Sequence, residues 1–148
     1  MARVNNWNRV VFSHYSEFPM EHWRWPNFTP QEVACRDGSL MIDAHSMDCL
    51  QKLRNQLGEP IILNSAYRSP EYNRSVGGVS QSQHLEAKAY DCRMKNHDPQ
   101  QFEAVARECG FTSFGYYVSQ GFMHIDTRDS PAKWGDPFPR MREDSPAY

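Results

Sequence analysis

The sequence contains no C-x-x-C pair, no apolar run long enough to span a bilayer and no marked excess of charge of either sign. Each absence removes a class of protein. The four cysteines, Cys35, Cys49, Cys92 and Cys109, are spaced too widely for a thiolate zinc knuckle. A chain of 148 residues folds as one domain and needs no covalent staples, so the four are expected as free, buried thiols. A net charge of −2, with lysines and arginines scattered among acids, leaves no basic stripe for nucleic acid or a membrane surface. The opening residues, MARVNNWNRVVFSHYSEF, lack the apolar stretch of a signal peptide, which implies synthesis in the cytoplasm. A monomer is the simplest expectation.

What is present organises into helices followed by strands. Residues 1–28 are rich in aromatics, show no period and read as an irregular N-terminal segment. Thr29, Pro30 and Glu32 form the start signal of a helix, with Thr29 as N-cap and Glu32 closing a capping box. From Asp43 to Leu57, the residues Met47, Leu50, Leu53 and Leu57 recur at helical spacing, and Gly58 follows as the stop. EPIILNSAYR reads as a buried strand running into a loop, and SPEYNRSVGGVSQSQ as a loop with one helical turn at most. AKAYDCRM alternates as a strand. Asp98, Pro99 and Gly110 bracket another helix, with Phe102, Val105, Ala106 and Cys109 inward. FTSFGYYV and GFMHIDTR form a closing hairpin, and residues 137–148 read as a frayed tail. The class is α+β: a small antiparallel sheet with flanking helices, its main domain running over 29–136.

The chemistry gathers in two places. In a strand the side-chain period is two, so His124, Asp126 and Arg128 share one face while Met123, Ile125 and Thr127 share the other. Upstream, SQSQHLEAKAYDC carries His84 and Asp91 seven residues apart. A catalytic zinc commonly takes three protein ligands from histidine and carboxylate. His84, Asp91 and His124 supply such a set.

Together these motifs resemble the zinc D-Ala-D-Ala carboxypeptidase family of peptidoglycan peptidases, which shares its fold with the hedgehog signalling domain. The family signature S-x-H-x-x-G-x-A-x-D is met by Ser82, His84, Ala89 and Asp91, and the later H-x-D-like strand by His124 and Asp126. NSAYRSPEYNRSVGG is similar to the arginine segment of the small phage-type members, and CRDGSLMID to their N-terminal part. The resemblance implies Zn²⁺ held by His84, Asp91 and His124, lowering the pKa of a bound water to about 7 and polarising the scissile carbonyl. It implies a catalytic and substrate-binding role for Arg68, whose guanidinium pairs with a carboxylate or an oxyanion, the plain alternative being an ion pair with Glu71. Ser82 is implied as a substrate-binding hydroxyl, against a role in its own turn. The substrate class is a peptidoglycan stem peptide or cross-link, cut by a carboxypeptidase or an endopeptidase. Such a substrate lies outside the cytoplasmic membrane, which a phage or prophage lysin reaches after release.

Two positions depart from the pattern. Ala87 stands where the signature has glycine, and would be strained if that backbone needs positive φ. Gly121 stands where many relatives place the glutamate that acts as general base, and no acid occurs from Thr112 to Met123. Asp126 is then the candidate proton acceptor; its alternative is to orient a ligand histidine or pair with Arg128. The alternative for the whole chain is a catalytically silent, zinc-holding domain that binds cell-wall peptide or a protein partner.

Overall fold

The structure, a computed structural model, describes residues 8–139 and 141. Two sheets carry the domain. β1 (Arg9–Phe12) pairs antiparallel with β2 (Leu40–Asp43), with Val10 opposite Ile42. This corrects the expectation of an irregular segment over residues 1–28, of which residues 1–7 lie outside the described residues. Phe18, Trp25 and Phe28 from the same stretch are buried in the main core. Burying a phenylalanine stabilises by about 1.5–3 kcal/mol, so the segment is part of the core in energetic terms. Trp25 also keeps its indole N–H satisfied, donating to Asp48 Oδ1 at 2.8 Å.

The helices form where the caps place them. Thr29 and Glu32 close a capping box on α1 (Pro30–Val33). Asp43 accepts from the Ser46 backbone N–H to start α2 (Ala44–Leu57), which Gly58 ends at φ 69°. Met47, Leu50 and Leu53 face inward and α2 packs on α4 (Pro99–Cys109), which presents Phe102, Ala106 and Cys109. All four cysteines are free and buried. The stretch expected to hold one turn at most contains α3 (Pro70–Ser75), a six-residue helix capped by Ser69.

The larger sheet positions the site. Its order is β3 (Leu63–Ser65), β4 (Ala89–Arg93), β6 (Phe122–Asp126), β5 (Ser113–Tyr117), β7 (Lys133–Trp134). Neighbours run antiparallel except β5 and β7, which are parallel. One face packs on the helices through Tyr90, Cys92, Phe114, Tyr116, Met123 and Ile125. β3 is half-buried, and of the two residues before it Ile61 is buried and Ile62 exposed, so the stretch is not a continuous buried strand. β7 has no counterpart in the reading of the sequence. Within the tail expected to fray, Phe138 is buried against Tyr116, and residues 140 and 142–148 lie outside the described residues. No described helix is long and apolar enough to cross a membrane.

Candidate metal centre

The outward face of the sheet carries the site along one cross-strand row. Asp91 on β4 stands opposite His124 on β6, His124 opposite Gly115 on β5, and Gly115 opposite Trp134 on β7. Directly opposed residues project to the same side of a sheet, so pairing alone brings the carboxylate and imidazole together. Gly115 is what admits the indole, because a Cβ there would lie 2.4 Å from Trp134 Cε2. The indole thus reaches the His124 ring, with centroids 5.0 Å apart.

His84 comes from outside the row, on a 3-10 turn over Gln83–Glu86. Ser82 Oγ caps that turn, accepting from the His84 backbone N–H at 3.2 Å. The His84 Nδ1–H donates to the Ala66 carbonyl at 2.6 Å, since a carbonyl only accepts. This tautomer leaves the Nε2 lone pair facing Asp91 Oδ2 at 3.3 Å. The turn ends on Ala87 at φ 58°, the one described non-glycine residue with positive φ. Left-handed backbone costs a side chain roughly 1–2 kcal/mol. Ala87→Gly, which restores the residue of the family signature, is expected to raise stability by about 1 kcal/mol or less. Chemical denaturation of the two proteins checks this, and no gain would show that the turn carries no strain.

One ligand-capable atom from each of His84, Asp91 and His124 lies within 4.8 Å of the others, and all three residues are buried. Two imidazole nitrogens and a carboxylate oxygen suit Zn²⁺. Each imidazole is also held from behind, as metal-ligating histidines are. For His124 the holder is Asp126. Nδ1 faces Asp91 Oδ1 at 3.1 Å, and Nε2 faces Asp126 Oδ2 at 2.7 Å.

Asp126 is fully buried, and its two oxygens also accept from the backbone N–H, Nε and NH2 of Arg128 at 3.1, 2.9 and 2.6 Å. It thus stands behind the His124 ring with both oxygens occupied, away from the Asp91 side. That is the placement an orienting carboxylate needs, the alternative to its role as proton acceptor. The position of the relatives' glutamate, Gly121, lies in a turn at φ 75°, a backbone that disfavours any side chain. Glu86 is turned away to an ion pair with Arg9 at 2.9 Å.

The site opens into a cleft of about 400 Å³ lined on one side by Arg68, Gly77, Gly78 and Ser82, and on the other by Tyr117, Gln120 and Trp134. Arg68 does not pair with Glu71; its NH2 lies 3.7 Å from Asp91 Oδ2, and its Nε donates to Ser65 Oγ at 3.2 Å. Trp134 Nε1 donates to the Tyr117 hydroxyl at 3.0 Å, and Arg128 stacks on the indole at 5.2 Å. Of the two adjacent tyrosines on β5, Tyr117 lines the cleft, and Tyr116 is buried with its hydroxyl donating to Glu103. Trp134 is held on β7 by its pairing with β5 and walls the cleft at once. His14 and His97 lie elsewhere, bonded to Ser16 and to the Pro60 carbonyl.

The electrostatics follow from the pairing. Burial pushes the Asp91 carboxyl up, but bonds from His124 and His84 outweigh it and hold the group well below the usual carboxylate range. Burial likewise opposes ionisation of Asp126, and His124 and Arg128 overcome it. Burial pulls His124 down, while Asp126 and Asp91 lift it above its ordinary value. Depressed carboxylates contribute stability that is full above pH about 4 and lost as pH falls further. A raised histidine contributes stability that is full below pH about 6.5 and lost as pH rises through its folded pKa. Protein stripped of metal is therefore expected to melt highest between about pH 4 and 6.5, falling off on both sides. Thermal midpoints against pH test this; a profile still rising above neutrality would contradict it.

Residues 26–126 match the model of a family described as peptidase M15. No curated protein matches the chain. The matched span takes in Arg68, His84, Asp91, His124 and Asp126, and ends before Arg128 and Trp134. With a zinc-competent donor set at the centre of that span, the chain belongs to the M15 family of zinc metallopeptidases.

Proposed function

We propose that the protein hydrolyses peptide bonds of peptidoglycan stem peptides or cross-links. The observation that carries this reading is the cleft itself: a His84–Asp91–His124 donor set with the Arg68 guanidinium beside it. Bound there, zinc supplies Lewis acidity towards the scissile carbonyl and activates water. The remaining work falls to the chain. Arg68 offers forked donors to a substrate carboxylate or to the charge that develops on the carbonyl oxygen. Asp126 holds His124 with Nδ1 turned to Asp91, where it would serve as a metal ligand, and Trp134 covers the flank of the same ring. The Ser82 hydroxyl lines the cleft while capping the His84 turn, and can donate its own proton to substrate.

An internal bond is the better candidate than a terminal residue. A second hollow of about 550 Å³, lined by Val118, Ser119 and Asp136, shares Tyr117 and Gln120 with the cleft. A peptide can therefore continue past the metal site. Such a substrate sits outside the cytoplasmic membrane, where a phage or prophage lysin acts.

One observation favours a second reading, a zinc-holding domain that binds cell-wall peptide without cutting it. Among the described residues lining the cleft, the only carboxylate is Asp91, a metal ligand. Digestion of purified cell-wall fragments separates the two. Chelator-sensitive release of peptides supports hydrolysis, with multi-residue products marking internal cleavage and free D-alanine a carboxypeptidase. Tight binding of fragments with no release supports the second reading.

A further inference from the structure

Asn73 is a buried polar residue on α3 that neither the ligand set nor the functional reading uses; it is 2% exposed. Its amide divides its work between two parts of the cleft wall. Oδ1 accepts from Arg68 NH1 at 3.3 Å, and Nδ2 donates to the Val79 carbonyl at 2.9 Å. Its backbone carbonyl accepts from the Gly78 N–H at 2.9 Å. One residue thus ties a guanidinium to the loop beside it in the same wall of the cleft. The loop's other backbone bonds are local, from the Val76, Gly77 and Ser82 N–H groups to the Tyr72, Arg74 and Val79 carbonyls, and Val76 and Val79 are both exposed.

The fit is close enough to dictate a neighbour. A Cβ at Gly78 would lie 2.0 Å from Asn73 Oδ1, and Gly78 does not have the positive φ that would by itself require glycine. Glycine is there because the amide oxygen occupies the space. Among the described residues, the Arg68 guanidinium is otherwise anchored only by Ser65 and a long contact to Asp91.

We propose that Asn73 is a positioning residue, setting the Arg68 guanidinium and the Gly77–Val79 loop as one unit for substrate. The catalytic part of this rests on the role of Arg68 in the proposed function; the geometric part does not. Only asparagine serves both halves. Aspartate keeps the acceptor for Arg68 and loses the donor to Val79, and alanine loses both.

The test uses the full chain with Asn73→Ala, Asn73→Asp, Gly78→Ala, Arg68→Ala and the doubles of Asn73→Ala with Gly78→Ala and with Arg68→Ala. Side-chain NMR of the Arg68 Nε–H reads the geometry without turnover. In Asn73→Ala its order parameter is expected to fall below about 0.6, the range of flexible groups, and in Asn73→Asp to stay near wild type. Gly78→Ala should mobilise Arg68 in the wild-type background and add nothing to Asn73→Ala. Arg68 equally ordered in wild type and Asn73→Ala overturns the proposal. On cell-wall peptide, Asn73→Ala should lose roughly tenfold in kcat/KM, and the double with Arg68→Ala no more than Arg68→Ala alone. Losses that multiply overturn the coupling. If the wild type cuts no cell-wall peptide, the functional reading and the catalytic half fail together, while the order parameters still decide whether Asn73 sets Arg68.

Discussion

His84→Ala is expected to leave the purified protein with roughly a tenth or less of the wild-type zinc, and turnover of cell-wall peptide lower by about a thousandfold or more. The first figure follows because even residues behind a ligand cost about 10–100-fold in metal affinity, and a ligand costs more. The second follows because the metal's charge stabilisation is worth several kcal/mol, with each 1.36 kcal/mol a factor of ten. Two of the three donors, Asp91 and His124, remain on adjacent strands and bring weak residual binding. The substitution also strips the Ala66 carbonyl of its partner, but the vacated space lies beside the cleft, where water can enter. His97→Ala is the matched control. That ring bonds to Pro60 and should keep full zinc. Elemental analysis beside the digestion assay gives both readings, and a His84→Ala protein with full zinc would remove His84 from the site.

Asp126→Asn carries the second large effect. Asparagine has the same shape, yet its amide offers donors where His124 Nε2 and the Arg128 guanidinium also donate. If its NH2 faces Nε2, the ring is pushed to the tautomer with the proton on Nδ1, the nitrogen that faces Asp91. Zinc affinity is expected to fall about 10–100-fold. Stability should fall by about 3 kcal/mol, the lower end for breaking a buried pair, because Arg128 reaches solvent. The two roles of Asp126 then separate. An orienting carboxylate predicts that excess zinc restores most of the turnover. A proton acceptor predicts a protein that is loaded with zinc and still inactive. Titration with zinc during the assay decides between them.

The parts of this architecture that were legible in the sequence are those governed by local rules. Thr29, Asp43 and Asp98 start helices because each caps its own next turn, and Gly58 and Gly110 end them for the same local reason. Strand alternation placed His124 and Asp126 on one face. It could not say which ring nitrogen Asp126 would touch, because that depends on side-chain rotation within a packed neighbourhood. β1 escaped because its partner β2 lies some thirty residues on and its four residues carry no turn signal. Gly115 looked like any glycine in a strand. Its meaning appears only when Trp134, brought back by a parallel pairing, lies on it. Asn73 sat in a polar stretch read as loop, where nothing local distinguishes it from its neighbours.

The placement of Trp134 bears on how such a cleft diverges. His84, Asp91 and His124 all lie within the span that matches the family, whereas the indole that covers the flank of His124 comes from beyond it. One panel of the wall thus lies apart from the rest, since Arg68, Ser82, Tyr117 and Gln120 fall within the span with the ligands. A change in the short stretch after the last ligand strand can therefore reshape one flank of the cleft while leaving the donors His84, Asp91 and His124 in place.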